Sequence, residues 1–115
     1  MLRDGFYKVS FSTPQGSGSG LVVFKGTTIQ GGDFGYTYKG DIGLTGGGDG
    51  GGQLTARLQV KQYEASATSV FGALRDFHLD LVGTFNATSF SARGGTDRMP
   101  GVSIEIRGTY VDEAL

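Results

Sequence analysis

The chain has 115 residues, a formal net charge of −1 and no cysteine. Disulfides and thiolate metal sites are thereby excluded, and Lys and Arg scattered singly leave no basic footprint for nucleic acid or an anionic membrane. A chain of this length forms one domain, residues 1–115, and buries roughly 60–70% of its unfolded surface without staples.

Glycine is the outlier, with 22 residues against an average usage of about 7%. It lies between segments rich in Phe, Tyr, Val, Leu and Ile, so it marks hairpins, bulges and sharp bends rather than disorder. The start Met1-Leu2-Arg3-Asp4-Gly5 turns polar at once, unlike a signal peptide. No apolar stretch approaches the ~18 residues of a membrane-spanning helix. The expectation is a cytoplasmic protein with no membrane association.

In chain order, Tyr7, Val9 and Phe11 alternate with Lys8, Ser10 and Ser12, giving a first strand that Pro14 stops. Gln15 to Gly20 reads as a flexible turn. The run Leu21, Val22, Val23 and Phe24 is apolar on both faces, which predicts a cover over the outer one. Thr27 to Gln30 is a weak third strand. Gly31-Gly32 then opens a long strand from Phe34 to Leu44, with Phe34, Tyr36, Tyr38, Ile42 and Leu44 on one face. Gly35, Thr37, Lys39, Asp41 and Gly43 take the other.

Thr45 to Gly52 reads as a hairpin loop. Beyond it Leu54, Ala56, Leu58 and Val60 alternate with Thr55, Arg57, Gln59 and Lys61. Glu64 to Leu74 loses the period of two and reads as a short helical turn near Ser66 to Gly72, or as a loop lid. Alternation returns with Phe77, Leu79, Leu81 and Phe85 opposite His78, Asp80 and Thr84. Asn86-Ala87 turns into a more polar strand from Thr88 to Arg93. After the loop 94–101, Val102, Ile104, Ile106 and Tyr110 alternate with Ser103, Glu105, Arg107 and Thr109, and Val111 to Leu115 form a tail.

The pattern is all-β: about eight antiparallel strands joined by short turns, with at most one short helical turn. Closing them into an up-and-down barrel of lipocalin or calycin type removes exposed edges and encloses the apolar face. A two-sheet sandwich is the alternative. Inward candidates are Tyr7, Val9, Phe11, Tyr36, Tyr38, Leu58, Val60, Leu79, Leu81, Ile104 and Ile106.

Motifs with chemistry are few. Gly16 to Gly20 leads into a strand and lacks Gly-Lys-Ser/Thr, so it is no phosphate loop, and the central position is Gly18, so it is no nucleophile elbow. Asp49 is a single copy of a pattern that binds calcium only in tandem. His78 stands on a polar face without a second imidazole, and Asp33, Asp41, Asp76 and Asp80 occupy turn-flanking or outward positions. Asn86-Ala87-Thr88 reads as a hairpin turn, not a glycosylation acceptor. No catalytic, metal or cofactor site is expected. Tyrosine hydroxyls inside a barrel need partners, and they can instead orient a mostly apolar ligand.

Asp4 to Phe11, Gly16 to Gly20, Gly31-Gly32-Asp33 with Tyr36, Tyr38 and Gly40, and Ser69 to Gly72 followed by Phe77, Leu79 and Gly83 resemble the GrlR-type negative regulators of type III secretion. That resemblance implies a bacterial cytoplasmic protein with a lipocalin-like barrel, often a homodimer, of a family whose best-studied member sequesters a transcriptional activator through an acidic cluster in the loop after the corresponding strand. Here the corresponding loop holds only Asp49. Two readings follow. In the first, the chain binds a protein partner or itself through Leu21, Val22, Val23 and Phe24. In the second, the lumen holds a small apolar, fatty-acid-like ligand among Tyr7, Phe34, Tyr36, Tyr38, Leu58 and Leu79.

Overall fold

Strict alternation of apolar and polar side chains carries the chain around a closed antiparallel barrel in sequence order, with the last strand pairing back onto the first. The computed structural model describes residues 2–48, 51–72 and 74–115. Its strands are β1 (Gly5–Thr13), β2 (Gly16–Lys25), β3 (Thr28–Gly32), β4 (Tyr36–Gly48), β5 (Gly51–Gln62), β6 (Asp76–Phe85), β7 (Ser89–Gly95) and β8 (Ile104–Asp112). The barrel is closed by β8 pairing with β1, where Val9 faces Gly108 and Phe11 faces Ile106. No helix occurs among the described residues.

Glycines allow so small a barrel to curl. Gly31, Gly40, Gly83 and Gly94 fall on inward positions, opposite Val22, Leu58, Ala92 and Leu81 of the neighbouring strand. A Cβ at any of them would lie only 1.8–2.1 Å from a backbone carbonyl oxygen of that strand. Neighbouring strands therefore cross closely at these points, and the missing side chains are what let the sheet turn its corners.

The expected inward set is inside. Tyr7, Val9, Tyr36, Val60, Leu79, Leu81, Ile104 and Ile106 are buried, and Phe11, Tyr38 and Leu58 pack half-buried against them. Burying a side chain of this size contributes roughly 1.5–3 kcal/mol, so the interior dominates stability. The ion pairs Arg57–Asp80 (3.5 Å) and Arg93–Glu105 (3.2 Å) lie on the exposed outer face and add little. Lys8, Ser10, Lys39, Asp41, His78 and Arg107 also face outward and are exposed. This is the reverse of a lipid-facing barrel, whose outer band is apolar. Among the described residues no helix is long and apolar enough to cross a membrane.

Several local expectations are corrected. Gly16 to Gly20 belong to β2 and pair with Val9 to Thr13, so the turn shrinks to Pro14-Gln15. Phe11 lies over Gly18, where a Cβ would sit 2.6 Å from its ring. Likewise Thr45 to Gly48 extend β4 and Gly51-Gly52 begin β5. Asp49 lies outside the described residues. The described part of 63–75 holds a bridge between Ser69 and Gly72 and no helical turn, so the lid alternative is the one observed. Phe34 is not in β4 but in the turn before it. Val111 and Asp112 extend β8, whereas Val102 precedes it.

The run Leu21 to Phe24 is apolar on both faces, as expected, but the expected cover over the outer face is not observed, since Leu21 is 47% exposed. It alternates like the other strands: Val22 and Phe24 are buried in the barrel, and only Leu21 and Val23 point outward. The apolar cover for its inner half is the lumen itself.

Candidate functional site

The barrel is a cup. The end of the barrel that carries the β2–β3 and β6–β7 connections and residues 2–4 is sealed by side chains. Tyr7, 0% exposed, and Phe24, 1% exposed, form its floor with Leu2, Phe85 and Phe90. Tyr7 packs edge-on to Tyr110 with ring centroids 5.7 Å apart, and the Arg3 guanidinium covers Tyr110 at 4.5 Å. The Arg3 amide donates to the Ala87 carbonyl at 2.8 Å, tying the chain start across the end. Burial, with Tyr110 beside it, pushes the Tyr7 hydroxyl up to about 12, and that hydroxyl donates to the Arg3 carbonyl.

Above this floor the interior is hollow. A cavity of about 460 Å³ opens at the other end, where the β1–β2, β3–β4, β5–β6 and β7–β8 connections gather. Its wall is apolar, with Val9, Val22, Ile29, Ile42, Leu54, Ala56, Leu58, Leu79, Phe90 and Ile106 among its residues. The volume falls in the range of about 300–1,000 Å³ that small-molecule sites occupy.

The mouth is organised by Asp33. Its Oδ1 accepts from the Gly35 and Tyr36 amides, each at 2.8 Å, and its Oδ2 accepts from the Tyr38 hydroxyl. An aspartate bonding to the backbone two and three residues on is what turns β3 into β4. Burial and the Asp33 carboxylate together hold the Tyr38 hydroxyl well above the usual phenol range, so it stays protonated and donating. The Tyr63 hydroxyl donates to the Asp33 carbonyl, and the Tyr63 amide donates to the Gly35 carbonyl at 2.9 Å.

The β5–β6 loop lies across the mouth. Ala67, Thr68, Ser69, Val70 and Phe71 line the cavity from it, and Phe71 is buried against Phe77 at 5.5 Å. Most of its ties run to the β3–β4 and β5 side: the Tyr36 hydroxyl donates to the Leu74 carbonyl at 2.9 Å, and Gln62 Nε2 donates to the Ala67 carbonyl at 2.7 Å. On the far side Thr13 Oγ1 donates to the Val70 carbonyl at 2.6 Å. The loop is thus anchored along one rim and latched to the β1–β2 hairpin on the other.

Tyr36, Tyr38, Leu58 and Leu79 line this cavity together, as the alternation of their strands requires. Tyr7 does not line it; it lies beneath, sealing the floor, because its position on β1 is one step nearer the closed end than Val9. Phe34 reaches only the rim and is 83% exposed, since the Asp33 turn swings it out of the strand alternation. Of the proposed partner face, Val22 joins the cavity wall and Phe24 the floor. The residues not anticipated are Asp33, read from sequence as a solvated turn carboxylate, and the lid residues Ala67 and Val70. The aspartate's signal was its setting, Gly31-Gly32-Asp33-Phe34-Gly35, which a side-chain-capped turn favours. His78 stays exposed on the outer face of β6 opposite Gln59. No protein-family model matches this chain, and no curated protein matches it.

Proposed function

We propose that this protein is a non-enzymatic binding protein that takes one small, chain-like apolar molecule into its lumen and acts in the cytoplasm. The observation that carries this is the hollow, one-ended cavity of about 460 Å³ with an apolar wall and its few polar groups confined to the mouth. An interior meant only for stability would fill that space, because each unfilled volume forgoes packing. Titration with the neutral dye Nile red tests it: saturable binding with one site and a blue-shifted emission is expected. Ala56→Phe, which fills the middle of the wall, is expected to abolish that binding while leaving the fold intact. Equal dye binding by both proteins would reject a lumen site.

A second reading follows the resemblance to GrlR-type regulators, in which the barrel pairs with a second copy and holds a transcriptional regulator. Its support is narrower: Leu21, 47% exposed, and Val23 present a small apolar strip on the outside of β2. Light scattering at micromolar concentration separates the two readings, since a strictly monomeric chain removes the homodimer.

A further inference from the structure

We infer that the lumen selects amphiphiles whose head group is not anionic and donates hydrogen bonds, an alcohol or an ammonium, and that Asp33 is the residue that imposes this choice. The inference rests on the lumen-binding reading and adds to it the class of ligand. It departs from a fatty-acid-like occupant. Among the described residues lining the cavity there is no Lys, Arg or His; the one charged side chain is Asp33, half-buried at the mouth. A carboxylate head group entering tail-first would come to rest beside that carboxylate with no cation to neutralise either.

Hydrogen-bond supply points the same way. The Tyr38 hydroxyl proton is committed to Asp33 Oδ2, and the Tyr36 proton to the Leu74 carbonyl. The Ser69 hydroxyl is committed to the Gly72 carbonyl at 3.2 Å. The Ser17, Ser19 and Thr68 residues also line the opening but are exposed to water, so within the half-buried part of the mouth the main free group is an acceptor, the spare lone pair on Asp33 Oδ2, which a donor head group fills.

The test uses three probes with the same alkyl chain, dodecanol, dodecylamine and dodecanoate, competing against Nile red at neutral pH. Like charges about 4–6 Å apart at a partly buried site repel enough to cost about tenfold or more in affinity. Dodecanol and dodecylamine are therefore expected to displace the dye at concentrations at least about tenfold below dodecanoate. A tighter amine than alcohol identifies charge attraction, and equal affinities identify a hydrogen bond to a neutral head; both sustain the inference.

D33N keeps an Oδ1 for the Gly35 and Tyr36 amides but removes the charge, and it is expected to bring dodecanoate to within about threefold of dodecanol. T68K, on the exposed rim and outside the Asp33 hydrogen bonds, supplies a cation and is expected to improve dodecanoate binding even if D33N folds poorly. Wild-type protein that binds dodecanoate as well as dodecanol overturns the inference and leaves the lumen reading standing. Failure to bind Nile red or any of the three probes overturns both.

Discussion

Replacing Gly40 with alanine puts the corner-turning argument at risk most sharply. The added methyl would lie 1.9 Å from the Arg57 carbonyl oxygen and 2.9 Å from Leu58 Cα, both backbone atoms of β5. No rotamer relieves this, so β4 and β5 must separate where they make ladder hydrogen bonds. Overpacking of this kind costs about 1–3 kcal/mol and more when backbone must move, and alanine's smaller unfolded-state entropy returns only about 0.4–1 kcal/mol. A net loss of about 3 kcal/mol is expected, which for a domain of this size lowers the melting temperature by about 12 °C. Gly16→Ala is the control, since nothing lies within 4 Å of a Cβ there and its φ is not positive; its effect is expected within about 0.5 kcal/mol of zero. Urea unfolding followed by circular dichroism reads both. A Gly40→Ala protein as stable as Gly16→Ala would mean that the strands do not approach as described.

Asp33→Ala removes the acceptor for two amides and a tyrosine hydroxyl and is expected to cost about 2–4 kcal/mol in the same urea assay, whereas Asp33→Asn, which keeps the amide acceptor, stays within about 1 kcal/mol of wild type. Because folding raises the Tyr7 hydroxyl to about 12 from its ordinary 10, its contribution to stability is complete below pH 10 and is lost as pH climbs towards 12; Tyr38, raised further, shifts the loss the same way. Ultraviolet titration of the phenols, repeated on Tyr7→Phe, is expected to lose a late-titrating step. Asp80→Asn breaks an ion pair whose partners are both 66% exposed and is expected to change stability by less than about 0.5 kcal/mol by thermal melting.

The architecture was legible because a period of two is a local property. Leu79, Leu81 and Phe85 alternate with His78, Asp80 and Thr84, and nothing but a strand with one buried face satisfies that. Where local reading failed, the deciding feature was a strand pairing or a side-chain hydrogen bond that alternation alone does not specify. Gly16 to Gly20 look like a flexible turn until β1 is laid beside them and Phe11 takes the space over Gly18. Leu21 to Phe24 do present two apolar faces, Val22 and Phe24 inward and Leu21 and Val23 outward, but the cover expected over the outer face is not there. Phe34 shares a parity with Tyr36 and Tyr38, but the hydrogen bonds of Asp33 break the strand between them.

The candidate site was legible in its wall and not in its emptiness. Tyr36, Tyr38, Leu58 and Leu79 follow from alternation, yet no sequence pattern says whether side chains from opposite walls meet. That depends on shear and tilt, which fix the barrel's radius. The floor and the lid depend on Tyr7, Leu2 and Phe71, whose roles arise only when the ends of the barrel are assembled.

Native mass spectrometry of the protein, purified from cells without detergent, tests most directly whether the lumen is a binding site. The account predicts a chain carrying a single discrete non-covalent adduct, or one that takes up dodecanol in a one-to-one ratio, with neither seen in Ala56→Phe. A bare wild-type chain that takes up no dodecanol would contradict it.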